Sequence, residues 1–253
     1  MTDNDHVLAA RLAEAAGRHL VDLRGRGDPA DPKALGEEGD RGAHELLLAE
    51  LTEQRPADTV LSEHGTAGPP RRPDGRTWIV DPLDGTREFG EGDRQDWAVH
   101  VALAQGPGLV AGAVALPARD VVLSTADPPR HFDSGGERPR IAVSRTRPPV
   151  FVEALAEALG AVTVPLGSAG AKIAAVVLGD VDAYVHAGGQ YEWDSAAPVA
   201  VARAAGMHTS RLDGSELVYN RPDPWLPDLV VCRPALAERL LAELSRLERA
   251  GEA

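Results

Sequence analysis

Apolar residues recur at helical spacing over the first part of the chain. Leu8, Leu12, Ala16, Leu20 and Leu23 share one face of a helix predicted over residues 6–23, and residues 43–51 repeat the pattern as a second amphipathic helix. The period then shortens. Runs of β type at 59–62, 77–80, 97–104, 109–116 and 121–124 are separated by Gly, Pro and Asp turns, which predicts a meandering, largely antiparallel sheet.

Residues 127–137 are rich in turn formers and poor in core residues, and after them the pattern alternates. Strands are expected at 141–144, 162–165, 183–186 and 228–232, and helices at 150–159, 172–178, 195–205 and from 235 onward. The chain thus divides into an α+β part over 1–138 and an α/β part over 139–253, in the α/β (α+β) fold class. There is no internal repeat.

Composition narrows the function classes. At 253 residues and 43% hydrophobic, the chain can bury a large core. Its 39 acids against 26 Lys and Arg give a net charge of -13, which disfavours nucleic acid and anionic membrane as partners. A phosphorylated substrate would be repelled too, unless the site holds cations of its own. The single Cys232 lies in the apolar run Leu229-Val230-Val231-Cys232, against a disulfide framework or a Cys/His zinc site. A polar N-terminus and the lack of a long apolar run lead to the expectation of a cytoplasmic protein.

The chemistry concentrates in Asp81-Pro82-Leu83-Asp84-Gly85-Thr86, where an apolar strand ends on one carboxylate and turns to a second. Two carboxylates held together repel unless protonated or bridged by a cation, and oxygen-only ligation suits Mg²⁺. Gly85 allows close backbone approach, and a helix opening at Thr86 would turn free N–H groups toward a phosphate. Glu63 and Asp194 end comparable elements; Asp194 would also serve as a helix N-cap and Glu63 as a solvated strand end.

In this order, Ser62-Glu63, Asp81-Pro82-Leu83-Asp84-Gly85-Thr86 and Trp193-Asp194-Ser195-Ala196-Ala197, with Asp40 lying 23 positions before Glu63, resemble the lithium-sensitive phosphatases of the inositol-monophosphatase superfamily. The resemblance implies a layered αβαβα fold and a homodimer. It also implies one Mg²⁺ on Glu63, Asp81 and the Leu83 carbonyl, a second on Asp81, Asp84 and Asp194, and a weaker third near Glu63. Asp40 and the Thr86 hydroxyl would activate the attacking water.

Arg87-Glu88-Phe89, Ser144-Arg145 and Gly167-Ser168-Ala169-Gly170-Ala171-Lys172 further resemble the CysQ-type 3'(2'),5'-bisphosphate nucleotidases of actinobacteria. This implies substrate contacts from Gly85, Thr86, Arg87, Ser144, Arg145, Ser168 and Lys172, with adenosine 3',5'-bisphosphate or its phosphosulfate analogue as substrate. A broader inositol or sugar phosphatase and a non-catalytic nucleotide binder are the alternatives. Two departures stand out: His64 follows Glu63 where the family carries a second acid, and Glu38-Gly39 precede Asp40. Lys172 reads equally as the polar opening of a helix, His44 as a partner of Asp40 or a surface residue, and the remaining histidines show no zinc spacing.

Overall fold

The structure, a computed structural model, describes residues 4–26, 31–130 and 138–251. Residues 131–137 of the expected boundary segment lie outside the described residues. Two long helices come first, α1 (Asp5–Arg26) and α2 (Pro32–Gln54). A six-stranded sheet follows, made of β1 (Thr59–Ser62), β2 (Gly65–Ala67), β3 (Arg76–Asp84), β4 (Ala98–Gln105), β5 (Gly108–Leu116) and β6 (Val121–Ser124). A short helix, α3 (Thr86–Gly90), leaves the end of β3.

The second sheet has five strands, β7 (Arg140–Ser144), β8 (Val162–Leu166), β9 (Ala183–Tyr191), β10 (His208–Ser210) and β11 (Trp225–Cys232). Helices α4 (Val152–Leu159), α5 (Ala169–Leu178), α6 (Glu192–Ala204) and α7 (Pro234–Ala250) accompany it. The strand orders are β2-β1-β3-β4-β5-β6 and β10-β11-β9-β7-β8. Both sheets are mixed: β1 runs parallel to β3, and β7 runs parallel to β8 and β9.

Alternation along the strands sorts side chains into layers. Trp78 and Val80 of β3 face Leu8, Leu12, Leu20 and Leu47 of the two N-terminal helices, while Ile79 faces the opposite core. That middle core holds Ala196, Val199 and Ile173 of α6 and α5 together with Tyr184, Leu229 and Val231 of the second sheet. Val230 and Cys232 point outward, to Leu155, Leu240 and Leu244 of α4 and α7. The result is helix, sheet, helix, sheet, helix, with both faces of each sheet covered, which explains why the strands read as near-continuous apolar runs.

The second helix is longer than its periodicity predicts, beginning at Pro32 instead of residue 43. Asp31 caps it by accepting the Ala34 N–H at 3.0 Å, and Pro32 fits the first turn. Its early turns hid from the pattern because two buried positions are glycines. A Cβ on Gly36 would lie 2.8 Å from Thr86 Cγ2, and one on Gly39 would lie 2.9 Å from the Phe89 ring. These glycines let α2 press onto α3 and carry Asp40 to the end of β3. Similarly, α6 begins at Glu192, so Asp194 lies inside its first turn. Among the described residues, no helix is long and apolar enough to cross a membrane.

Candidate active site

The apolar run of β3 continues through Pro82 to Asp84, with a register shift against β4 between Asp81 and Asp84. That irregularity aims both carboxylates to one side. Asp81 is 3% exposed and accepts the Leu83 N–H at 3.1 Å. Asp84 crosses to the other half of the chain, where it accepts the Gly170 N–H at 2.6 Å and the Ala169 N–H at 3.3 Å at the start of α5. Asp194 accepts the Tyr191 N–H at 2.6 Å, closing the first turn of α6. Oxygens of Asp81, Asp84 and Asp194 come within 4.8 Å of one another, as ligands of one cation would.

A second group forms beside it. Asp40, Glu63 and His64 also bring donor atoms within 4.8 Å of one another. Here His64 Nε2 lies 3.0 Å from Asp40 Oδ2, and the His64 ring packs on His44 with centroids 4.4 Å apart. His44 Nδ1 in turn lies 3.4 Å from Ser62 Oγ. The second oxygen of Asp40, Oδ1, is buried without a partner.

These carboxylates are electrostatically strained without a cation. Burial, then Asp84, Glu63 and Asp194, raise the Asp81 carboxyl well above the usual range. Burial and Asp84 push Asp194 up to about 7, and loss of hydration followed by Asp40 does the same to Glu63. A divalent ion removes this penalty, and an all-oxygen donor set suits a hard cation. The residues present therefore fit a metal site.

Of these carboxylates, Asp84 and Asp194 line a cavity of about 860 Å³. Of the residues expected to touch substrate, Gly85, Thr86, Arg87, Ser144, Ser168 and Lys172 line it. Arg145 does not; it is held by Glu88 at 2.7 Å and by Glu91 at 3.1 Å, and Arg147 stands on the wall instead. Gly85 adopts φ +89, and a Cβ there would meet Ser168 and Trp97 at 3.0 and 3.2 Å. The Thr86 hydroxyl donates to the Leu83 carbonyl at 3.1 Å, and Ser168 caps α5 through the Ala171 N–H. Lys172 is 3% exposed, and burial lowers its ammonium to about 8. Its Nζ donates to the carbonyls of Gly167 and Ser168 and sits 5.1 Å above the Tyr184 ring.

One neighbour escaped the sequence reading. His100 is fully buried on β4 directly opposite Asp81. Its Nδ1 lies 3.0 Å from the Trp193 carbonyl oxygen and its Nε2 lies 3.3 Å from Asp84 Oδ2. A Cβ on Gly170 would collide with this ring, so glycine there preserves its place. Only the pairing of β3 with β4 could have revealed it. His64 and Asp40 were likewise separated in the sequence, with no local signal of their pairing.

The inositol monophosphatase family model matches residues 6–249. The chain is 51% identical over 249 residues to the 3'-phosphoadenosine 5'-phosphate phosphatase of Mycobacterium leprae, covering 94% of this chain and 92% of that protein. It is 30% identical to the 3'(2'),5'-bisphosphate nucleotidase CysQ of Escherichia coli K12, covering 85% and 94%. The SuhB structure of Mycobacterium tuberculosis superposes with a TM-score of 0.72 at 27% identity, over 95% of each chain. The 2'AMP-bound structure of SaIMPase-II superposes at 0.80 and 21% identity, over 96% and 95%.

Proposed function

The chain belongs to the inositol monophosphatase family, and from that premise we propose that it is a Mg²⁺-dependent enzyme removing the 3'-phosphate of adenosine 3',5'-bisphosphate. On this reading the phosphosulfate analogue is a second substrate, and AMP or adenylyl sulfate is the product, within sulfate assimilation. The observation that carries it is the buried Asp81, Asp84 and Asp194 cluster at the edge of a nucleotide-sized cavity, in a chain half identical to a named phosphatase of this kind. The proposal includes a cytoplasmic homodimer.

In the proposed site Glu63, Asp81 and the Leu83 carbonyl would hold one Mg²⁺, Asp81, Asp84 and Asp194 would hold a second, and a weaker third would bind near Glu63. When bound, such ions draw charge from phosphoryl oxygens and lower the pKa of bound water. The protein contributes position. Gly36 seats α2 against Thr86, and Asp40 stands one turn further along the same helical face. The partnerless Oδ1 of Asp40 is a ready acceptor for a proton of the attacking water. Thr86, its own proton given to Leu83, offers lone pairs to orient that water.

Lys172 receives the distal phosphate, because an anion beside its buried ammonium offsets the hydration that burial removes. Ser144, Ser168, Arg87 and the Gly85 backbone complete the anion contacts. Arg145 reaches the substrate only by leaving Glu88, so Arg147 takes its place in the proposal.

The test is phosphate release from adenosine 3',5'-bisphosphate, fructose 1,6-bisphosphate and inositol 1-phosphate at equal concentrations, with Mg²⁺ and then with chelator. A Mg²⁺-dependent preference for the adenosine compound supports the nucleotidase. Comparable rates on all three would make it a general sugar phosphatase, and binding without release would make it a binder.

A further inference from the structure

Ten aromatic side chains of Phe, Trp and Tyr type occur in the chain, and most are interior. Trp78, Trp97, Phe89, Tyr184 and Tyr219 are all at most 2% exposed. Among the described residues, the large hydrophobic side chains open to solvent are otherwise aliphatic, and the two aromatic exceptions are Tyr191 at 43% and Trp225 at 41%. Both line the same cavity as Asp84, Asp194 and Lys172. Leaving two aromatic faces wet is unfavourable in a resting protein, so their gathering beside the carboxylates calls for a ligand.

The two rings are firmly built. Tyr191 at the end of β9 and Trp225 at the start of β11 are paired across the strands. Tyr191 lies stacked on Trp193, with centroids 4.6 Å apart and 13° between planes. Trp225 meets Tyr191 nearly at right angles, 5.4 Å away and at 78°, so the pair makes a corner. The indole is seated on Gly189, where φ is +91 and a Cβ would overlap it. The Tyr191 N–H is the group that fixes Asp194, so one turn of backbone sets both the aromatic wall and a carboxylate of the metal cluster.

We propose that Tyr191 and Trp225 form the platform on which the purine ring of a nucleotide substrate stacks. This rests on the nucleotide reading above and adds what selects the base. The cavity divides its labour accordingly: Lys172 and Arg147 supply positive charge for phosphate, and the aromatic corner supplies a flat, uncharged surface that a planar ring covers most fully. Stacking of a base on an aromatic side chain is worth about a ten-fold or larger change in affinity. An inositol or sugar phosphate has no such plane and gains little there.

The experiment is equilibrium binding of AMP and of ribose 5-phosphate to the Mg²⁺-loaded protein, for the wild type, Trp225→Leu, Tyr191→Leu and Trp225→Phe. Thermal midpoints and solution mass are read in parallel. The expected result is that the ratio of ribose 5-phosphate to AMP affinity rises about ten-fold in Trp225→Leu and returns toward wild type in Trp225→Phe. If AMP binds the wild type but the leucine variants weaken both ligands equally, or neither, the platform is wrong while the nucleotide reading stands. If AMP does not bind the wild type, the nucleotide reading itself fails. A halved solution mass in Trp225→Leu with an unchanged ratio would make this wall an interface between two copies and overturn the proposal.

Discussion

Two groups of acidic residues stand side by side at the end of β3, and they solve the problem of crowded charge in opposite ways. Asp81, Asp84 and Asp194 are drawn from both sheets' surroundings, largely buried, and pinned by backbone N–H groups of α5 and α6. Asp40, Glu63 and His64 come from α2 and the end of β1, reach solvent, and carry an imidazole within their own circle. The first group also meets an imidazole, His100, 3.3 Å from Asp84, but burial lowers the pKa of that ring and so disfavours its charged form. The second faces water and an imidazole 3.0 Å from Asp40, although Glu63 is still pushed up to about 7. On the proposed function, His64 beside Glu63 tunes how strongly the outer group calls for metal.

The largest effect that would break this contrast is on turnover. Asp84→Asn keeps an oxygen for the Gly170 N–H but removes a charge from the inner group. We expect kcat/KM to fall on the order of 100-fold or more with an unchanged circular dichroism spectrum. Near-wild-type activity would sink the assignment of the inner group.

Thermal stability gives the next test. At Mg²⁺ concentrations about 100 times the dissociation constant, binding to the native state stabilises by about 2.7 kcal/mol, or roughly 5–10 °C in Tm for a chain of this size. Calorimetry of wild type with Mg²⁺ and with chelator should show that shift, and the Asp84→Asn protein should lose most of it.

A smaller effect has the opposite sign. In metal-free protein, Asp81→Asn removes one member of a buried, mutually repelling set, and Tm should rise by about 2–4 °C, or about 1 kcal/mol, while activity is lost. Glu63→Gln should move Tm less, because Glu63 is exposed where Asp81 is buried. Equal shifts would erase the distinction between the two groups. Least of all, His64→Asn should change kcat less than about ten-fold and act mainly on the Mg²⁺ concentration needed for half-maximal rate, read from a metal titration.

Legibility followed distance along the chain. The strand-to-turn segment around Asp81 and Asp84 could be read because strand, proline, carboxylates and glycine are contiguous. The five-layered fold followed from the resemblance, while the periodicity alone suggested antiparallel pairing and missed the parallel contact of β1 with β3. The start of α2 stayed hidden because Gly36 and Gly39 weaken the apolar pattern where the helix packs most closely. His100 opposite Asp81, His64 beside Asp40, and Arg145 engaged by Glu88 are all cross-element contacts that no local spacing announces. The aromatic corner belongs with them, since Tyr191 and Trp225 meet only through the pairing of β9 with β11.

The reach of Asp194 across the molecule also governs when the site comes into being. More than a hundred residues separate it from Asp81, so a growing polypeptide leaving the ribosome presents the first carboxylates long before the last. Contacts of such long sequence separation form late, after the loop between them has been closed. The inner group is complete only once α6 has docked between the sheets, so on the proposed function its affinity for an ion rewards the finished tertiary structure and no earlier stage. A chain that stops short of α6, or packs it wrongly, cannot assemble the inner group.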